Sequence, residues 1–138
     1  MNSRSLAQDY LRRARSRRKA LEGYLQDQDY ADVVREAQET VELSLRAILR
    51  MVGIEPPKVH DVAALLREYE DRLPGVPVAE LARTSTQLRK ERELAFYGDL
   101  DFLPTEQYTQ ADAEQAMGFA GRAVDAALAF WERIRVEE

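Results

Sequence analysis

Between Tyr30 and Val52 the apolar residues Val34, Ala37, Val41, Leu45, Ile48 and Val52 recur every three or four positions. That period places them on one side of an α-helix about 35 Å long. A helix with one long apolar stripe must be covered by other elements, so this segment demands partners of similar length. The sequence offers them. The spacing predicts a first helix over Ser3–Gln26, with Leu6, Tyr10, Leu11, Ala14, Leu21, Tyr24 and Leu25 as its apolar positions and Asn2 or Ser3 as its cap. Asp27 to Asp29 interrupts the pattern, and Gly53 suits the end of the second helix. Pro56 and Pro57 stiffen a connection. A third helix is expected over Val59–Leu73, carrying Val62, Leu65, Leu66, Tyr69 and Leu73 and stopped by Pro74-Gly75.

A fourth helix begins near Pro77. Val78, Leu81, Ser85, Leu88, Arg92 and then Ala95 or Phe96 lie along one face of it, which sets a guanidinium within or beside an apolar stripe. A buried guanidinium needs a partner, and Glu42, beside the stripe of the second helix, is one acid to expect there. Gly98–Thr109 reads as a loop, and Gln110–Arg135 as a last helix. Its stripe of Ala113, Ala116, Ala120, Ala123, Ala127, Phe130 or Trp131 and Ile134 permits close approach of a neighbour. No stretch alternates as a strand does. The expected fold is all-α, an antiparallel up-and-down bundle of about five helices forming one domain over residues 1–138.

Composition narrows the function classes. With 0 Cys there is no disulfide framework, thiolate metal site or thiol nucleophile. His60 is the single histidine; at a helix start it reads more simply as a capping or packing residue than as a ligand, and no metal or cofactor is expected. No apolar run approaches the ~20 residues that span a bilayer. The basic N-terminus lacks a following apolar core, so a soluble intracellular protein is expected. A net charge of -5 argues against nucleic-acid binding over the whole surface, though not over a patch. One such patch is Arg4, Arg12, Arg13, Arg15, Arg17, Arg18 and Lys19 in the first helix, which reads either as a solvated surface or as a site for RNA or an acidic partner. The sequence contains no phosphate loop, dinucleotide fingerprint, nucleophile elbow or zinc-protease motif.

The chemistry concentrates in Arg89 to Pro104, RKERELAFYGDLDFLP. Four stretches in order, namely DYADVVREAQETVELSLRAILRMVGIEPPKVHDVAALL (Asp29 to Leu66), LRKERELAFYGD (Leu88 to Asp99), FLPTEQYTQADAEQA (Phe102 to Ala116) and the Ala-rich final helix, resemble the HEPN domain family, and its small prokaryotic members in particular. The family name refers to nucleotide binding in higher eukaryotes and prokaryotes. Many members are metal-independent endoribonucleases with an Arg, often followed by a polar residue, and a His a few positions on, in a site formed across a homodimer. The resemblance implies that arginine holds the scissile phosphate and that histidine moves the proton.

This chain departs at the key position. Matching Arg92-Glu93 to the motif puts Tyr97 where histidine is expected; starting from Lys90 puts Ala95 there, with Tyr97 two positions later, as in toxin members with an H-x-Y pattern. The first register keeps the arginine and its polar follower and is preferred. Tyrosine, with a reference pKa of ~10, is a weak base at neutral pH. The resemblance therefore implies a nucleotide- or RNA-related binding module acting as a dimer, with a degenerate ribonuclease motif. Arg89, Lys90, Arg92, Phe96 and Tyr97 would bind the ligand by phosphate contact and stacking. It also implies pairing with a minimal nucleotidyltransferase in a toxin-antitoxin-like couple, with Tyr97 as the modified residue. Two alternatives remain open: an active endoribonuclease using Arg92, Glu93 and Tyr97, and a structural adaptor that binds other proteins through its first and last helices.

Overall fold

Helix α2, Tyr30–Met51, is the element the others cover. Val33, Val34, Ala37, Val41, Leu45, Ala47, Ile48 and Leu49 are all buried, so apolar residues point in several directions rather than along one stripe. This is the pattern of a central helix. It packs most extensively against α1, Ser3–Gln26, and α6, Gln110–Val136, and then against α4, Val78–Tyr97. The computed structural model describes residues 3–58, 61–97 and 103–136, with side chains at all of these except residues 3, 92–97 and 104–105. Among the described residues every regular element is helical, in the up-and-down arrangement expected.

Helix ends are set by local chemistry. α2 stops in a Schellman motif: Gly53 takes φ 80°, its N–H bonds to Arg50 O at 3.0 Å, and the Ile54 N–H bonds to Leu49 O at 3.0 Å. α1 ends the same way, with Gln28 at φ 62° and the Asp29 N–H on Tyr24 O at 2.9 Å. A non-glycine residue there costs about 1 kcal/mol. The third helix is shorter than its apolar spacing suggests. α3 runs only Val62–Glu68, followed by a 3₁₀ turn at Glu70–Arg72. Its cap is Asp61, whose Oδ1 accepts from the Ala63 N–H at 3.0 Å. The expected start at Val59 and the role of His60 lie outside the described residues. The loop expected over Gly98–Thr109 contains a short helix α5, Pro104–Gln107.

α6 buries Ala113, Ala116, Ala120, Ala123 and Ala127 as expected, together with Gly121, Val124 and Phe130. The first helix holds a feature that its apolar positions do not reveal. Ala7, Leu11, Ala14 and Leu21 are buried, and Arg18 stands in the register between the last two. Its guanidinium lies across Gly121 of α6, where an added Cβ would come within 2.8 Å of Nη2. The same guanidinium pairs with Asp125, one turn on, at 2.8 Å. Arg17 pairs with Glu36 of α2, also at 2.8 Å. Part of the basic cluster thus ties α1 to α2 and α6. Among the described residues no helix is long and apolar enough to cross a membrane.

Candidate functional site

The second half of α4 presents two different faces. Val78, Leu81, Ala82, Thr84, Ser85 and Leu88 are buried against the bundle, matching the stripe read from the sequence as far as Leu88. Arg89 and Lys90 then emerge to solvent. They share an open cleft of about 390 Å³ with Thr86 and Asp61. Arg89 Nη1 donates to Asp61 Oδ1 at 3.3 Å. That oxygen also caps α3, so one carboxylate fixes the start of α3 and orients the first cation of α4. The ion pair is long and exposed, with side-chain exposures of 39% for Arg89 and 54% for Asp61, so it contributes little stability and leaves the guanidinium accessible.

On the other flank of α4 lies a second cleft of about 280 Å³, between α4, α5 and the start of α6. Tyr108, which falls within the loop expected from the sequence, is one of its lining residues. It is buried, and its O–H donates to Glu91 Oε2 at 2.7 Å while lying 3.2 Å from Glu91 O. Burial, then this hydrogen bond, then the negative charges of Glu91 and Asp112 push the phenol well above the usual tyrosine value. The position of Tyr108 follows from the chain around it. Thr109 and Asp112 form a reciprocal capping box, with the Thr109 N–H on Asp112 Oδ2 at 2.9 Å and the Asp112 N–H on Thr109 Oγ1 at 3.2 Å. The residue before such a cap turns inward to meet the first turn, and here that residue is aromatic. An aromatic followed by Thr-x-x-Asp was the available signal.

Of the residues singled out in the sequence, Arg89 and Lys90 share one cleft. Arg92, Glu93, Phe96 and Tyr97 belong to the last turns of α4, but their side chains lie outside the described residues, as does any Arg92–Glu42 pair. Glu42 itself is engaged on its own helix, by Gln38 Nε2 at 3.0 Å and Arg46 Nη2 at 3.3 Å. Arg46 also donates to Pro57 O and Lys58 O, which ties the connection after α2 back onto that helix. Gln38 is buried, and its Oε1 meets no donor among the described residues. No group of three or more metal-ligating side chains occurs among the described residues.

Among the described residues this arrangement offers accessible cations on one flank of α4 and a polar, ring-lined recess on the other. A family model described as HEPN domain matches residues 7–131. No curated protein and no solved structure matches the chain.

Proposed function

Since the chain belongs to the HEPN domain family, we propose that it is a nucleotide- or RNA-binding module that grips phosphate through the second half of α4 and cleaves RNA poorly or not at all. The observation that carries this reading is the exposed Arg89-Lys90 pair, with Arg89 oriented but not consumed by Asp61. An arginine held in place by a weak, solvent-screened partner exchanges that partner for a phosphate at small cost. Arg92 adds a third cation to this segment, with Phe96 and Tyr97 as stacking surfaces. Glu93 follows Arg92 as the motif's polar residue. Tyr97 in place of histidine removes the group that would move a proton at neutral pH.

The protein works as a homodimer in this reading, since the family's site is usually formed across two copies, and its partner is a minimal nucleotidyltransferase that modifies Tyr97. This is the arrangement of small prokaryotic members and their toxin-antitoxin pairs, with a cytoplasmic location. A second reading, a protein-binding adaptor, has the exposed Arg12, Arg15 and Lys19 of α1 in its favour, which form no ion pair among the described residues.

The test is incubation of the purified protein with mixed single-stranded RNA in metal-free buffer, following both binding and cleavage, beside Arg92→Ala and Tyr97→Phe. Binding without cleavage by wild type, weakened in Arg92→Ala, is the expected result. Cleavage abolished by Arg92→Ala would make the protein an endoribonuclease in which tyrosine or another group replaces histidine. Neither binding nor cleavage, with folded variants, would leave the adaptor reading.

A further inference from the structure

We infer that the cleft between α4, α5 and the start of α6 receives one unstacked nucleobase bearing an exocyclic amine, while Lys90 and Arg89 hold the adjoining phosphates. The inference rests on the proposed function for the presence of a nucleic-acid ligand, and on the cleft itself for what part of that ligand enters.

Three properties of the cleft point to a base. The first is size. About 280 Å³ falls just below the usual range of small-molecule sites, room for one ring system and too little for a dinucleotide. The second is its lining. Val34, Leu88 and Ala116 supply an apolar wall, and Tyr108 and Phe119 add rings on which a planar group can stack. The third is its polar chemistry. Among the described residues no cation lines the cleft, while Glu91 and Asp112 both do, and these two carboxylates repel a phosphate from the interior.

The carboxylates also select among bases. Glu91 receives the Tyr108 O–H on Oε2, and Asp112 receives the Thr109 N–H on Oδ2. Among the described residues each carboxylate is therefore pinned by one oxygen and retains a second, Oε1 or Oδ1, as an acceptor. The carboxamides of Gln87, Gln107 and Gln115 stand around them and accept or donate as needed. Acceptors of fixed position match an amino group, as carried by cytosine and adenine, and oppose the O4 carbonyl that uracil presents at the same place. Tyr108 acts here as a positioning residue, because it sets the Glu91 carboxylate.

Helical register joins this cleft to the cations. Gln87 and Glu91, one turn apart, face the cleft, and Lys90 lies between its rim and the Asp61 cleft that it shares with Arg89. A nucleotide whose base enters beside Gln87 places its phosphate toward Lys90 without crossing the body of the helix.

The experiment is a fluorescence-anisotropy titration of the full chain with labelled eight-nucleotide oligo(C), oligo(A), oligo(U) and an abasic oligomer of the same length, using wild type, Glu91→Gln and Gln87→Ala. Thermal melts confirm that each variant folds. Wild type is expected to bind oligo(C) and oligo(A) about fivefold or more tightly than oligo(U) and the abasic oligomer. Glu91→Gln, which replaces a pure acceptor by a group that also donates, should reduce this preference to about twofold or less, and Gln87→Ala should lower it similarly. Equal binding of all four oligomers by all three proteins would overturn the inference and leave the phosphate-binding reading standing. No binding of any oligomer would overturn both. Tighter binding of a short Arg/Lys peptide than of any oligomer, lost in Glu91→Gln, would overturn the inference by giving the cleft to a protein partner.

Discussion

Helices α1 and α4 both carry arginines on the outside of this bundle and use them in different ways. On α1, Arg17 and Arg18 turn toward the bundle and meet Glu36 of α2 and Asp125 of α6 at 2.8 Å each. Arg18 also occupies the space that the missing side chain of Gly121 leaves. The Asp125 partner is 63% exposed, so exposure does not set this pair apart from the one on α4, where Arg89 meets Asp61 at a longer 3.3 Å and Lys90 beside it is exposed. Charge count alone does not separate a clamp from a binding surface. What separates them is whether another helix supplies an acid and a shaped seat.

Substitutions on the two faces should therefore act on different observables. The largest stability effect is expected at the clamp. Gly121→Val fills the seat of Arg18 and should lower unfolding free energy by about 2 kcal/mol in urea titrations while RNA affinity stays unchanged. A loss of affinity without a loss of stability there would break the distinction. Tyr108→Phe comes next. It removes the donor to Glu91 and should cost about 1.5 kcal/mol at neutral pH. Because the folded-state phenol titrates above its unfolded value, its contribution is fully present below about pH 10 and is lost as pH rises beyond that. The wild-type decline in melting temperature above that pH should thus be shallower in Tyr108→Phe.

Asp61→Ala should cost about 1 kcal/mol by removing the cap of α3, whereas Asp61→Asn keeps a good cap and should stay within a few tenths of wild type. Both variants release Arg89, so neither should weaken RNA binding; weakened binding in Asp61→Asn would show that the carboxylate holds Arg89 in its productive position. The smallest stability effect is expected for Arg89→Ala, about 0.5 kcal/mol or less, checked by chemical denaturation.

Much of the fold was legible because helical period is a local signal. The bounds of α1, the Gly53 terminus and the alanine face of α6 all follow from residues within a turn or two of one another. The shortened α3 was less legible, since its apolar residues continue to Leu73 while the cap at Asp61 and the 3₁₀ turn at Glu70–Arg72 set the real limits. The Arg18–Gly121 seat depends on two residues more than a hundred positions apart, and no local pattern encodes that meeting. Of the candidate site, the Arg89-Lys90 face was readable as a cationic stretch at the end of a stripe. The Tyr108–Glu91 cleft was not, because a loop reading of Gly98–Thr109 hid the inward aromatic that precedes the capping box.

The central claim is that phosphate is held on α4 and not on α1. It is tested most directly by the salt dependence of affinity for a single-stranded oligoribonucleotide, measured on wild type, on an Arg89→Ala and Lys90→Ala double variant, and on an Arg12→Ala and Arg15→Ala double variant. If α4 holds phosphate, removing its two cations should take about 1.4 from the slope of log affinity against log salt, while the α1 variant keeps the wild-type slope. The reverse result, an unchanged slope in the α4 variant and a reduced one in the α1 variant, would contradict this account and move the binding surface to α1.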